Sequence, residues 1–174
     1  MTKPSYQRRK EDRPQEITEA AFSVFAEKGY AAARVDEVAQ RAGVSKGLTY
    51  LYFKTKEELF KAVVKSIVVR RVDALIEAVE TTEMSSEEFI RGPLADFMKG
   101  IPGSPVAIVI KLLIAEGQRH PDLVDYYWDH VVSKGLEAIT LFVRRGVERG
   151  EFRETAVSDL PQLVLAPMML SLIH

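Results

Sequence analysis

The sequence predicts an all-α protein, and three observations carry that prediction. Apolar residues recur at intervals of three and four along most of its 174 residues. Serine, threonine, proline and glycine stand where helices start and stop. No stretch of useful length alternates apolar and polar residues as a half-buried strand would, and no internal repeat is present.

The elements follow in order. Residues 1–12 are polar, with Pro4 and a basic Arg8-Arg9-Lys10 run, and read as a mobile basic arm. Pro14 suits the first position of a helix, where its missing N–H costs nothing. From there Ile17, Ala20, Ala21, Val24 and Phe25 form one stripe, and Gly29 supplies the stop. A second helix is expected over 36–42, with Val35, Val38, Ala39 and Ala42 inward and Gly43 free to make a sharp turn. Ser45 is the N-cap of a third helix that cannot pass far beyond Phe53. Thr55-x-x-Glu58 fits a capping box and opens a fourth helix reaching to about residue 80, long enough to join two bodies rigidly.

Beyond Glu83, helices are expected over 86–98, 106–118 and 121–149, with the Gly100–Pro105 loop after the first and Gly150 as the final stop. A last helix is expected to begin near Ser158. It ends in Met168, Met169, Leu170, Leu172 and Ile173 without a cap, which leads us to expect a natural chain continuing past His174.

Composition narrows the function. There is no cysteine, which excludes disulfides and thiolate metal sites and suits a reducing cytosol. The amino terminus lacks the apolar core of a signal peptide, and no apolar run approaches a bilayer span, so a cytoplasmic location is expected. The net charge of −1 hides a split. Residues 1–71 hold fifteen Lys and Arg against nine Asp and Glu, whereas residues 72–174 hold nine against sixteen. A basic front facing a polyanion and chance clustering of surface charge account for that split equally well.

Residues 36–60, DEVAQRAGVSKGLTYLYFKTKEELF, carry the chemistry. Two short helices joined by a glycine turn form the unit that seats a helix in the DNA major groove. The outward side of the second would carry Ser45, Lys46, Gly47 and Tyr50, with Tyr52 near its end. Lysine can donate to guanine, serine and tyrosine hydroxyls usually reach phosphates, and Gly47 lets the backbone approach. Leu48 is placed to meet a thymine methyl if it faces out. Lys56 is a cation in the first turn of a helix, where the macrodipole opposes it by a few tenths of a kcal/mol. A phosphate clamp and a solvated lysine offset by Glu57 and Glu58 are equally open readings.

Residues 14–60 resemble the amino-terminal DNA-binding domain of the TetR family of bacterial one-component repressors. The matching residues are Ile17, Ala20, Ala21, Phe25 and Gly29, then Val38-Ala39 and Ala42-Gly43-Val44-Ser45, then Lys46-Gly47 and Tyr50 to Leu59. In that family the positions matching Lys46, Gly47, Leu48, Tyr50, Tyr52 and Lys56 contact DNA, with Arg34 and Val35 near the phosphates. Two departures stand out. Arg34 replaces the usual Thr or Ser cap of the second helix, and Leu48-Thr49 replaces the common Thr-Leu, leaving open which of the two meets the bases.

The resemblance implies a TetR-like architecture: a helix-turn-helix domain over 13–54 and a ligand-binding and dimerisation domain over 55–174. The segment from Glu116 to Leu123 with Tyr126-Tyr127-Trp128 is similar to a common version of that second domain. Pocket candidates are Phe89, Phe97, Met98, Leu112, Leu113, Glu116, Tyr126, Tyr127 and His130, a set suited to a mainly apolar effector, with plain core as the competing reading for each. Dimer candidates are Leu136, Ile139, Phe142 and Val143, with Leu163, Val164, Ala166, Pro167 and Met168 on the last helix.

No cofactor, metal site or enzymatic activity is expected. Glu116 and His120 stand four apart but nothing completes a site, and Asp122, Asp125 and Asp129 read as a solvated helix face. The expected function is a homodimeric transcriptional regulator that binds double-stranded DNA at a pseudo-palindromic operator. It would be a repressor released by a small effector. The alternatives are a regulator of the same fold controlled by a protein partner or by no ligand, and a helical ligand-binding protein that no longer binds DNA.

Overall fold

A computed structural model describes the backbone of residues 5–153 and of Leu163, and side chains from Asp12 onward. Helix follows helix, and no strand occurs among the described residues. α1 is Ser5–Ala32, interrupted at Gly29, whose φ of 77° and ψ of 165° only glycine adopts without strain. α2 is Val35–Arg41 and α3 is Lys46–Tyr52. α4 spans 56–81 as Lys56–Val64, a π-helical turn at Lys65–Val69, and Arg70–Thr81. α5 spans 86–99 with a π turn at Ile90–Leu94, and α6 is Pro105–Glu116. α7 spans 121–148 with a π turn at Trp128–Val132.

The caps explain where these helices begin. Ser45 accepts from Leu48 N–H at 3.1 Å, Thr55 from Glu58 N–H at 3.1 Å, and Ser85 from Glu88 N–H at 3.3 Å. Arg34 has no side-chain acceptor, so at α2 only the reciprocal half of a capping box forms: the Glu37 carboxylate accepts from Arg34 N–H at 3.3 Å. The sequence reading is corrected at the amino terminus. α1 starts at Ser5, so residues 5–12 are helical and Pro14 lies inside the helix rather than at its first position. Polar residues are compatible with a helix as well as with an arm, so composition does not separate the two. The expected last helix, from Ser158, lies outside the described residues except for Leu163.

The core runs unbroken from the head into the rest of the molecule. Ile17, Val24 and Phe25 of α1 and Leu59, Phe60, Val63 and Val64 of α4 are buried together, and Val109 and Leu113 of α6 join them. At the joint, Tyr30 is fully buried, with its ring centroid 5.6 Å from Phe25, 5.2 Å from Phe60 and 4.8 Å from His120. Burial, with the Glu57 carboxylate beside it, holds the Tyr30 phenol well above its ordinary value, although its hydroxyl makes no hydrogen bond of good geometry.

Lys56 locks this joint. Its ammonium donates to the carbonyls of Tyr30 at 2.9 Å, Ala31 at 3.1 Å and Ala33 at 3.3 Å, and lies 4.5 Å from the centre of the Tyr30 ring. Three donors meet three carbonyls left open where α1 ends. A cation is therefore at the start of α4 because it serves the end of α1. At the far end of α4, Arg145 of α7 donates to the carbonyls of Val79 at 2.6 Å and Thr82 at 3.2 Å.

Two stability changes are expected. Phe60→Ala empties a fully buried site between Phe25 and Tyr30 and should cost about 3–5 kcal/mol in urea denaturation. Lys56→Met keeps the stem but strips the three carbonyls of their donor, and should cost about 1–3 kcal/mol without DNA present. An unchanged denaturation midpoint for Lys56→Met would contradict its role as a staple.

Candidate DNA interface and effector cavity

α2 and α3 pack through small apolar residues. Val38 and Ala39 are buried, and Gly43 turns the chain with φ of 65°. Thr49 is fully buried, with Oγ1 3.4 Å from the Ser45 carbonyl it donates to, while Leu48 is half-exposed. The geometry thus resolves the ambiguity: threonine fills the inward position and Leu48 faces outward.

The other candidate DNA contacts lie on and around α3. Ser45, Lys46, Gly47, Tyr50 and Arg34 are exposed, Val35 and Tyr52 are half-buried, and nothing lies within 4 Å of a side chain added at Gly47. Lys46 pairs with Asp36 at 2.7 Å, which raises its affinity for a proton, and its ammonium stands 5.9 Å from the Tyr50 ring centre. Both partners are more than half exposed, so the pair is worth little and can be exchanged for a base contact. Arg34 lies close enough to Lys46 to oppose its charge. Two like charges on one surface are what a polyanion would compensate.

Lys56 stands apart. With its three donors given to carbonyls in this conformation, it makes a structural contact that neither open reading, phosphate clamp or solvated lysine, included. Sequence could not show this, because the carbonyls it serves lie more than twenty residues away. Below this surface, Arg41 holds Glu27 in two bonds of 2.5 and 2.7 Å, and Lys28 donates to Glu37 at 2.6 Å. These contacts hold both carboxyls below their ordinary range, Arg41 acting on Glu27 and Lys28 on Glu37.

A cavity of about 1020 Å³ opens between α4, α5 and α7. Its wall is almost wholly apolar: Val72, Leu75 and Ile76 of α4, Phe89 and Phe97 of α5, Ile110 of α6, and Val131 and Phe142 of α7 are among it. All three π turns reach it, through Val68, through Ile90 and Leu94, and through Trp128, Val131 and Val132. Such widened turns re-aim side chains and recur at functional sites. Burial pushes the Tyr127 phenol in this wall up to about 12, so its hydroxyl stays neutral.

Four of the nine pocket candidates, Phe89, Phe97, Met98 and Tyr127, line this cavity. The other five do not. Leu113 is buried in the common core and Leu112 packs against it. Glu116 is near Tyr30 at the joint, with one carboxylate oxygen buried, without a hydrogen bond, and 3.8 Å from the Arg119 guanidinium. Tyr126 stacks on His130 at 4.1 Å, away from the cavity wall, with Lys61 5.6 Å from the Tyr126 ring centre. The dimer candidates Leu136, Ile139, Phe142 and Val143 line the cavity in this single chain. Leu163 is 48% exposed, and Val164, Ala166, Pro167 and Met168 lie outside the described residues. Helical spacing shows that a face is apolar but not which neighbour covers it, so pocket and seam were interchangeable in sequence. Arg71 and Arg153, also in the wall, gave no sequence signal beyond their charge.

Among the described residues, no group of three or more metal-binding side chains exists, and no helix is long and apolar enough to cross a membrane.

Known proteins share this arrangement. The family model for bacterial regulatory proteins of the tetR family matches residues 17–63, and that for the tetracyclin repressor-like C-terminal domain matches residues 90–174. The HTH-type transcriptional repressor AcnR of Corynebacterium glutamicum is 31% identical over 151 residues, which cover 87% of this chain and 72% of that protein. The fatty acid metabolism regulator protein of Bacillus subtilis is 28% identical over 148 residues, 83% of this chain and 74% of that one. The crystal structure of FadR from Bacillus subtilis in complex with stearoyl-CoA shares the fold, with a TM-score of 0.71 at 24% identity, covering 88% of this chain and 82% of that one. With an exposed α3 on a glycine turn, one helix joining it to an apolar cavity, and these matches over both parts, the chain belongs to the TetR family of bacterial helix-turn-helix transcriptional regulators.

Proposed function

We propose that this regulator is a cytoplasmic homodimer, without enzymatic activity, that represses transcription from a pseudo-palindromic operator and lets go when a small, mainly apolar effector fills its cavity. One observation carries the reading. α4 begins in the joint that Lys56 locks and continues as a wall of the cavity, from Val68 to Val79. An occupant that favours one position of α4 must therefore bias the position of α3. The name of the Bacillus subtilis relative and the stearoyl-CoA in its structural neighbour support an apolar effector.

The dimer is argued from recognition. α3 has seven residues, too few for specific binding alone, and a two-fold mate places a second copy about 34–36 Å away, one turn of the duplex. On each half-site, Lys46 leaves Asp36 for a base edge while Arg34, Ser45, Tyr50 and Tyr52 hold phosphates. Gly47 lets the backbone come close, Leu48 supplies an apolar contact, and Val35 lies near the phosphates.

Duplexes selected from a random pool, followed by a salt titration, test these roles. Arg34→Ala should weaken binding about equally on all sequences and lower the salt slope by about one unit. An unchanged slope removes Arg34 from the phosphate contacts. Lys46→Ala should instead relax the base preference, at a cost of about 1–3 kcal/mol on the selected duplex. Equal losses on selected and random duplexes would exclude a base contact.

A further inference from the structure

The charges in the cavity wall are all of one sign. Arg71 and Arg153 are its only charged residues among those described, although residues 72–174 hold sixteen acidic side chains against nine basic ones. An ammonium entering here would meet two guanidiniums and no carboxylate. An anion would meet the planar fork that pairs with carboxylate or phosphate in two parallel bonds.

The two arginines do not share one spot. Arg71 follows the π turn of α4, and its guanidinium rests on the backbone of Gly100, where an added Cβ would stand 3.1 Å from Nη2. No acceptor among the described residues pairs with it, and it is exposed. Arg153 follows Phe152, whose ring packs on Gly146, next to the Arg145 that caps the carbonyls of Val79 and Thr82. Along α4, Arg71 and Val79 are about 12 Å apart. The cavity therefore has Arg71 towards one end and a cluster of Phe89, Phe142 and Phe152 towards the other, with ring centroids 5.1 and 5.7 Å apart.

Size selects the occupant further. At about 1020 Å³ the cavity is at the upper end of the range for ligand sites, and a small anion would leave most of its apolar wall unfilled. We propose that the cavity takes a long-chain acyl anion, with its head on Arg71 and its chain running towards Phe89, Phe142 and Phe152. The proposal rests on the effector reading above and names its chemistry. A carboxylate and the phosphates of an acyl thioester of coenzyme A offer Arg71 the same contact.

The test is a binding series on the full chain, below micelle-forming concentrations. Decanoate, dodecanoate, tetradecanoate and hexadecanoate are compared with hexadecanol, hexadecyltrimethylammonium and hexadecanoyl-CoA. Affinity should rise about fourfold per added methylene until the cavity is full. Hexadecanol should bind about tenfold more weakly than hexadecanoate, and the ammonium more weakly still. Arg71→Gln should bring acid and alcohol to equal affinity, whereas Arg153→Gln, at the tail end of the cavity, should keep most of the preference. Whichever of hexadecanoate and hexadecanoyl-CoA binds more tightly names the source of the anion, and both orders support the subsite.

Equal affinity of acid and alcohol for the unaltered protein overturns the proposal, whatever becomes of the Arg71 variant. So does loss of the preference in Arg153→Gln but not in Arg71→Gln, or failure of every chain to bind. Release of selected DNA is read separately. Binding without release sinks the effector reading and leaves the subsite standing, whereas equal release by acid and alcohol does the reverse.

Discussion

The burial of Tyr30 between the end of α1, the start of α4 and His120 is the constraint on which the rest of the molecule depends. A helix-turn-helix head and a ligand-binding body could be joined by a flexible segment, and then nothing sensed in one would be felt in the other. Here a fully buried aromatic ring fills the joint, and Lys56 binds three carbonyls around it. Lys61 adds an ion pair to Asp122 at 3.6 Å, between α4 and the start of α7. Close packing of this kind has few alternative arrangements, so displacement of α4 is passed on rather than absorbed.

Much of this was legible in the sequence. Alternating helix and turn chemistry placed α2, α3 and the start of α4 within a residue or two, because Gly29, Gly43, Ser45 and Thr55 act through local backbone physics. The contacts that decide function were less so. Local chemistry left Lys56 open between a phosphate clamp and a solvated lysine, the resemblance implied a DNA contact, and the distant carbonyls it serves were visible to neither. The pocket candidates failed wherever an apolar or aromatic residue had another neighbour to face, as Leu113 has in the core and Tyr126 has in His130. The π turns were illegible for a different reason. Each shifts the facing by one residue without changing the helical look of the sequence, and all three fall where the cavity is walled.

The exposed pairs on α2 and α3 belong to the same logic. Lys46 is held by Asp36 in the open, where a salt bridge is weak and screened. That arrangement keeps a cation in place and soluble while leaving it free to change partner. Arg41 and Glu27 form a two-bonded pair behind the candidate DNA surface, also exposed, whose fork geometry joins α2 to α1. The two-bonded pair thus lies behind α3 and the exchangeable one lies on its face.

The proposed switch must also be affordable in energy. Turning a population from 1:99 to 99:1 requires about 5.5 kcal/mol of difference in ligand affinity between the two states. At about 0.8 kcal/mol per methylene, that corresponds to burying about seven methylenes in one state and exposing them in the other. A small polar effector could supply such a difference only through several buried hydrogen bonds, and this wall offers few polar groups to make them. An acyl chain can supply it through area alone, and α4 contributes Val68, Val72, Leu75, Ile76 and Val79 to that area. The helix that must move is the helix against which the chain would be buried. Differential burial against α4 therefore couples occupancy to the position of α3 without any dedicated pathway of polar contacts.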